Sequence, residues 1–286
     1  MTTVDRPVPP SAVRARPAVG FHEGELAVQR RAGVQHDASR LEGMLRPPLL
    51  DGGAQKFLAQ REFAVITGRD AEGRLWTSPL RGPAGFLDAS GTTLTVHAGL
   101  PEGDPLHLLP ADQPAGLIVI EFAIRRRVRV NGTLTVSTPD TLVLTADQAY
   151  GNCPQYIHPR PLPPATSAST TNQTANGLLG RELIERSDTF FLGTTHQERG
   201  ADTSHKGGTV HIDGDELWWA DKPGNNMFNS LGNLVADPEA ALLFVDFPTG
   251  ASLHLSGTAT IDWDAPTETG RAVRFTPVRS ILTGSI

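Results

Sequence analysis

The feature that most restricts the fold of this 286-residue chain is an internal echo. Leu117-Ile118-Val119-Ile120-Glu121-Phe122 is matched 125 positions later by Leu242-Leu243-Phe244-Val245-Asp246-Phe247. The same spacing sets Asn131-Gly132-Thr133 on Ser256-Gly257-Thr258 and Ala111-Asp112 on Ala236-Asp237, and a spacing of 126 sets Thr77-Ser78 on Thr203-Ser204. Two copies of one β-rich unit are expected, and the length accommodates two domains of ordinary size.

From Phe63 onward, short apolar runs separated by turn residues give a strand signature. Residues 63–67, a turn at 70–73 and residues 75–78 make a hairpin; residues 92–97, 115–122, 127–136 and 141–144 continue the series. The second unit repeats the plan, with a helix around 178–186, strands near 189–194, 201–204, 209–212 and 216–219, a short helix at 227–235, and strands at 240–247 and 252–263. Further short helices are expected at 23–31 and 55–60. Prolines in residues 1–20 oppose regular pairing, and the Pro-, Ser-, Thr- and Asn-rich stretch 159–177 reads as a linker. The fold class expected is mainly β: two tandem antiparallel β-barrels with short helices. The divisions are an N-terminal arm 1–40, a first barrel 41–158, a linker 159–178 and a second barrel 179–286. Barrel closure removes the exposed edges that invite aggregation.

Composition narrows the function. A formal charge of −6, with one dense basic run at Arg125, Arg126, Arg127 and Arg129, argues against nucleic acid as a partner. That run falls at an expected hairpin turn; a solvated turn is the ordinary reading, and a cross-barrel contact to a phosphate the sharper one. Cys153 is the sole cysteine, so neither a disulfide framework nor a thiolate metal cluster is available. His205 and His211 lack a carboxylate at ligand spacing, so no metal site is expected. No apolar stretch approaches the roughly 20 residues that span a bilayer, and residues 1–20 lack the apolar core of a secretion signal. A cytoplasmic protein without a membrane partner is expected.

Two segments carry chemistry. Residues 223–234, Pro-Gly-Asn-Asn-Met-Phe-Asn-Ser-Leu-Gly-Asn-Leu, open a helix between strands. Asn225 and Asn226 suit its N-cap, and a helix start with unpartnered N–H groups favours an anion. Asn229 and Ser230 add neutral donors there. At the spacing of 125 the first copy has Asp104 and Pro105 instead, a carboxylate that repels phosphate and a proline without a donor. Ser204-His205-Lys206-Gly207-Gly208 then ends a strand with cations and bare backbone, where the first copy has Pro79-Leu80-Arg81-Gly82. Of Trp218 and Trp219, strand alternation sends one to the barrel core. Glu121 and Asp246 hold equivalent positions and suggest a shared structural salt link.

In this order, Asp188 to Thr194, Asp202 to Gly208, Pro223 to Leu234, Leu242 to Phe247 and Leu253 to Ala259 resemble the pyridoxamine 5′-phosphate oxidase-like, flavin-binding split-barrel superfamily, and residues 151–157 are similar to a segment closing the first barrel in its two-barrel branch. The resemblance implies that the two tandem barrels are split β-barrels and that they hold a flavin, FMN first and FAD second. Its phosphate would lie near Asn225, Asn226, Met227, Asn229 and Ser230, and its ring along Thr203, Ser204, His205, Lys206 and Gly207. It further implies an oxidoreductase acting on a small-molecule substrate or electron donor, and a homodimer, since the superfamily builds its sites at barrel interfaces. Because some relatives bind or degrade haem, a haem b reading stands beside it, with His158, His22 and His205 as axial candidates; a flavin carrier without catalysis is a third. The fusion of two barrels, and the lack of an Arg/Lys-rich phosphate strand, argue against the vitamin as substrate.

Overall fold

The structure is a computed structural model that describes residues 20–45, 49–151, 153–164, 172–224 and 226–284. The first sheet contains β1 (Phe63–Arg69), β2 (Leu75–Arg81), β3 (Leu87–Ser90), β4 (Thr93–Val96), β5 (Gln113–Glu121), β6 (Arg126–Ser137) and β7 (Leu142–Gly151), in the spatial order β2-β1-β5-β6-β7-β4-β3. The second contains β8 (Gln173–Asn176), β9 (Thr189–His196), β10 (Gly200–Gly207), β11 (His211–Asp213), β12 (Glu216–Ala220), β13 (Glu239–Val245), β14 (Ser252–Asp262) and β15 (Ala272–Thr283). Its order is β10-β9-β13-β14-β15-β12-β11, with β8 paired to β15. All pairings are antiparallel, and the two seven-strand paths are the same. Register agrees as well: Ser78 lies opposite Ile66 and Ser204 opposite Leu192. Both sheets slip register at the same place, Asn131/Gly132 and Ser256/Gly257. A Cβ on Gly132 or Gly257 would lie 2.1 Å from the carbonyl oxygen of Thr145 or Thr276, so only glycine fits either bulge.

The repeated apolar hexapeptides are explained by a strand that is buried on both faces. Successive strand residues point to opposite sides. Leu117 and Val119 fill the core of the first barrel, while Ile118, Ile120 and Phe122 fill a separate cluster between the barrels. Leu242 and Phe244 do the same for the second barrel, and Leu243 and Val245 meet the interface cluster with Phe63 and Phe191. Each barrel thus uses one face of its central strands for itself and the other for its neighbour. At the strand ends Glu121 pairs with Arg61 and Asp246 with Arg186, at 2.8 and 2.9 Å, which is the salt link expected of these positions.

The helices are α1 (Glu23–Arg31), α2 (Gln35–Ser39), α3 (Gly53–Ala59), α4 (Arg181–Arg186) and α5 (Asn229–Ala236). Among the described residues, none is long and apolar enough to cross a membrane. α1 lies on α5 so closely that a Cβ on Gly24 would fall 2.2 Å from the Gly232 carbonyl oxygen. The N-terminal helix therefore braces the C-terminal barrel. Two differences from the sequence reading stand out. Strand β8 forms inside the stretch read as a linker, because β15 offers it a free edge. β15 itself lies beyond the last expected strand; Pro277 and Thr276 interrupt its apolar pattern at the bulge. The expectation for residues 1–19 lies outside the described residues.

Candidate functional site

A cavity of about 290 Å³ opens between the barrels. β6 of the first barrel and β10 of the second form one side of it. Arg127 and Arg129, two residues apart on β6, reach it together with Lys206 of β10 and Lys222 of the loop after β12. Phe190, Trp219 and Phe228 give it an apolar wall. Asp221 is its one acidic lining residue among the described residues, and that carboxylate is already held by Arg271 at 2.9 and 3.0 Å. The cavity is consequently electropositive.

Burial raises the stakes of each charge. Arg129 is 2% exposed, and its Nη1 donates to both oxygens of Asp202 at 2.8 and 3.1 Å. Burial opposes its charge, but the Asp202 carboxylate outweighs that and holds the guanidinium ionised. Its Nε has no partner. Burial, then Arg129, brings Lys206 down to about 8. Arg127 donates through Nη1 to Nδ1 and O of His205, at 3.0 and 3.1 Å. A guanidinium can only donate, so Nδ1 accepts and Nε2 of His205 carries the proton toward Thr189 Oγ1, 2.6 Å away. Burial and then Arg127 hold His205 well below its ordinary value, as a neutral ring that positions Arg127.

The start of α5 faces the cavity through Phe228, Ser230 and Leu231. Its N-cap is Phe228, in the left-handed region at φ 59°, and no side chain caps the helix. This corrects the expectation of an asparagine cap: Asn226 lies in the preceding turn and Asn225 is outside the described residues. Helix geometry separates the next two positions, since consecutive residues project about 100° apart. Ser230 reaches the cavity side and donates to Ser204 Oγ at 3.0 Å. Asn229 turns away and donates to Glu25 Oε1 of α1 at 2.5 Å.

The structure brings Lys206, Gly207, His205 and Ser230 together at the cavity. Thr203, Ser204, Asn226, Met227 and Asn229 are not among its lining residues. Ser204 is buried behind Ser230, and Thr203 Oγ1 lies 2.7 Å from both Thr67 Oγ1 and Gly116 O within the barrel interface. Met227 packs with Phe21, Leu45 and Tyr150. None of the haem candidates turns a free ring nitrogen to the cavity. His205 has both ring nitrogens engaged, and so does His22, through Gly24 N and Asn233 Oδ1. His158 is exposed, 3.7 Å from Asp188. Trp219 joins the core while Trp218 stacks on His211 with centroids 4.2 Å apart, as alternation requires.

Sequence reasoning missed Lys222 and Phe228 as lining residues. It had the signal for Arg127 and Arg129 in the arginine run, whose alternate members share one strand face and cross to the other barrel. It also misplaced the first-barrel counterpart by one residue. Ser78, the register equivalent of Ser204, donates to Asp104 Oδ1 at 2.7 Å. Asp104 therefore stands where Ser230 stands, and its own carboxylate fills the anion position. His254 of β14 donates through Nδ1 to Thr77 O at 2.9 Å, and its Nε2 lies 3.9 Å from Asp104.

Residues 180–274 match the family model described as pyridoxamine 5′-phosphate oxidase. No curated protein matches the chain. Among solved structures it is similar to a protein related to general stress protein 26 (pyridoxinephosphate oxidase family) from Clostridium acetobutylicum, at 19% identity over 37% of this chain and 91% of that one, TM-score 0.28. It is also similar to a FAD-binding protein from Mesorhizobium loti, at 11% identity over 40% of this chain and 99% of that one, TM-score 0.30. The FAD binding protein from Mycobacterium smegmatis matches at 13% identity over 40% and 100%, TM-score 0.28. The segment from 180 to 274 carries the pyridoxamine 5′-phosphate oxidase-like split-barrel fold.

Proposed function

We propose that the inter-barrel cavity binds a flavin nucleotide, FMN or FAD, and that the protein is a flavin-dependent oxidoreductase. The observation that carries the reading is the convergence, on one cavity, of an uncapped helix start with Ser230, Arg129 and Lys206. Helix N-termini and guanidinium groups are the two ready-made partners of a phosphate. The residues fit that group: the Arg129 Nε lacks a partner, and the acid lining the cavity, Asp221, is paired with Arg271. Phe190 and Trp219 supply the apolar wall for a flat ring, and Gly207 brings backbone close. A bound flavin supplies two-electron redox chemistry, while the protein supplies orientation and charge. Lys206 and Arg127 would favour an anionic ring, and His205 keeps Arg127 in place. Arg127, Arg129 and Tyr156 come from the first half of the same chain, so both halves of one chain contribute to the cavity.

The test is reconstitution. Purified protein, stripped and titrated with FMN and FAD, should show the yellow spectrum of bound flavin at one equivalent per chain, and mass measurement of the extracted group separates the two nucleotides. Protein that takes up neither nucleotide overturns the assignment.

A further inference from the structure

The flavin cavity has a smaller neighbour. Another cavity of about 140 Å³ lies against the same Arg127 and Tyr156 that line the larger one. Its remaining character is different. Leu41, Met44 and Met227 give it a largely apolar lining, joined by Cys153 and Gln155, and Gly224 leaves its backbone bare. Arg127 is the single charged residue in its lining, among the described residues. Thioether and aromatic walls accept flat rings, since sulfur and π-faces are polarizable and adapt in shape.

Arg127 is fixed there by its other bonds. Nη1 is spent on His205 and Nη2 donates to Cys153 O at 2.9 Å, whereas Nε is buried with no partner. Tyr156 is equally fixed: its hydroxyl donates to Pro223 O at 2.8 Å and Lys222 Nζ lies 4.8 Å from its ring centre. An apolar chamber with one immobile, under-satisfied cation at its edge recognises an apolar body that carries one negative charge.

We propose that this side cavity binds the ring of a small aromatic anion of the aryl-carboxylate class, its charge on Arg127, beside the flavin cavity rather than in it. Its place as the site of a second reactant rests on the flavin reading; the binding itself does not.

The test uses full-length protein and 1-naphthoate, followed by fluorescence titration with and without saturating FMN. Wild-type protein should bind the probe in both conditions, and the neutral 1-naphthalenemethanol should bind about tenfold more weakly. Met44→Trp fills the cavity from a side chain that is 41% exposed, so the fold tolerates it. It should weaken naphthoate binding by at least about tenfold with FMN uptake unchanged. Lys206→Met, confined to the larger cavity, should leave naphthoate binding unaltered. The proposal is overturned if folded wild-type protein does not bind the probe, if FMN displaces it, or if Met44→Trp binds it as well as wild type. Naphthoate binding lost in Met44→Trp by a protein that takes up no flavin would sink the flavin reading and leave this one standing.

Discussion

Arg129 and Asp202 form an ion pair across the two barrels in which one guanidinium nitrogen contacts both carboxylate oxygens, at 3.1 and 2.8 Å, with both side chains at most 4% exposed. Asn131 Nδ2 and the Tyr150 hydroxyl donate to the same carboxylate, at 3.0 and 3.3 Å. The pair therefore joins β6 to β10 and holds a cation at the cavity wall.

Removing one partner strands the other. Arg129→Met should destabilise the fold by about 3–5 kcal/mol, the cost of leaving a buried carboxylate unpaired. Arg129→Met with Asp202→Leu should recover most of that stability and still fail to bind flavin. Urea unfolding, with flavin uptake measured on the same samples, separates the structural role from the binding role. A double variant as unstable as the single one would contradict this account.

Ser230→Asp copies the arrangement of the first barrel, where Asp104 meets Ser78. It sets a carboxylate at an uncapped helix start beside Ser204. Flavin affinity should fall at least about a hundredfold, roughly 3 kcal/mol, while circular dichroism stays that of wild type. Uptake at the wild-type level would show that the anion position lies elsewhere.

Lys206 titrates at about 8, brought down by burial and then by Arg129. Its charge is complete well below that pH and lost above it, so flavin affinity should decline as pH rises through about 8 in the free protein. Lys206→Arg keeps its charge over this range and should flatten the profile. Equilibrium titration with FMN from acid to alkaline pH measures both.

Burial raises Glu25 from its ordinary 4.5 to about 7, against hydrogen bonds from His22 N and Asn229 that favour the ion. The folded state then holds the proton more tightly than the unfolded chain. Its stabilisation is full below 4.5 and is lost as pH rises through about 7. Glu25→Gln retains an amide oxygen as acceptor and does not titrate. As pH rises from 4.5 to 7, wild type should therefore lose about 3 kcal/mol relative to the variant. Unfolding curves of the two proteins at matched pH give the difference directly, and a constant difference would refute the burial argument.

The sequence by itself determined the mainly β, two-barrel plan, because strand period, turn residues and the hexapeptides buried on both faces are local properties. Helices α1 and α5 were legible within two residues for the same reason. It also marked Lys206 and Ser230 as neighbours of one site, since charge and donor type are written in the chain. Tertiary structure decided what those residues face. A turn of about 100° between adjacent helix residues sent Asn229 to Glu25 and Ser230 to the cavity. The site's two arginines, Arg127 and Arg129, come from the opposite barrel, more than 70 residues from the His205 and Asp202 that they bond, a pairing no local pattern encodes. Nor could spacing alone show that Asp104, through Ser78, takes Ser230's place; that required the contacts themselves, because the offset between the copies changes from 126 to 125 within the intervening loop.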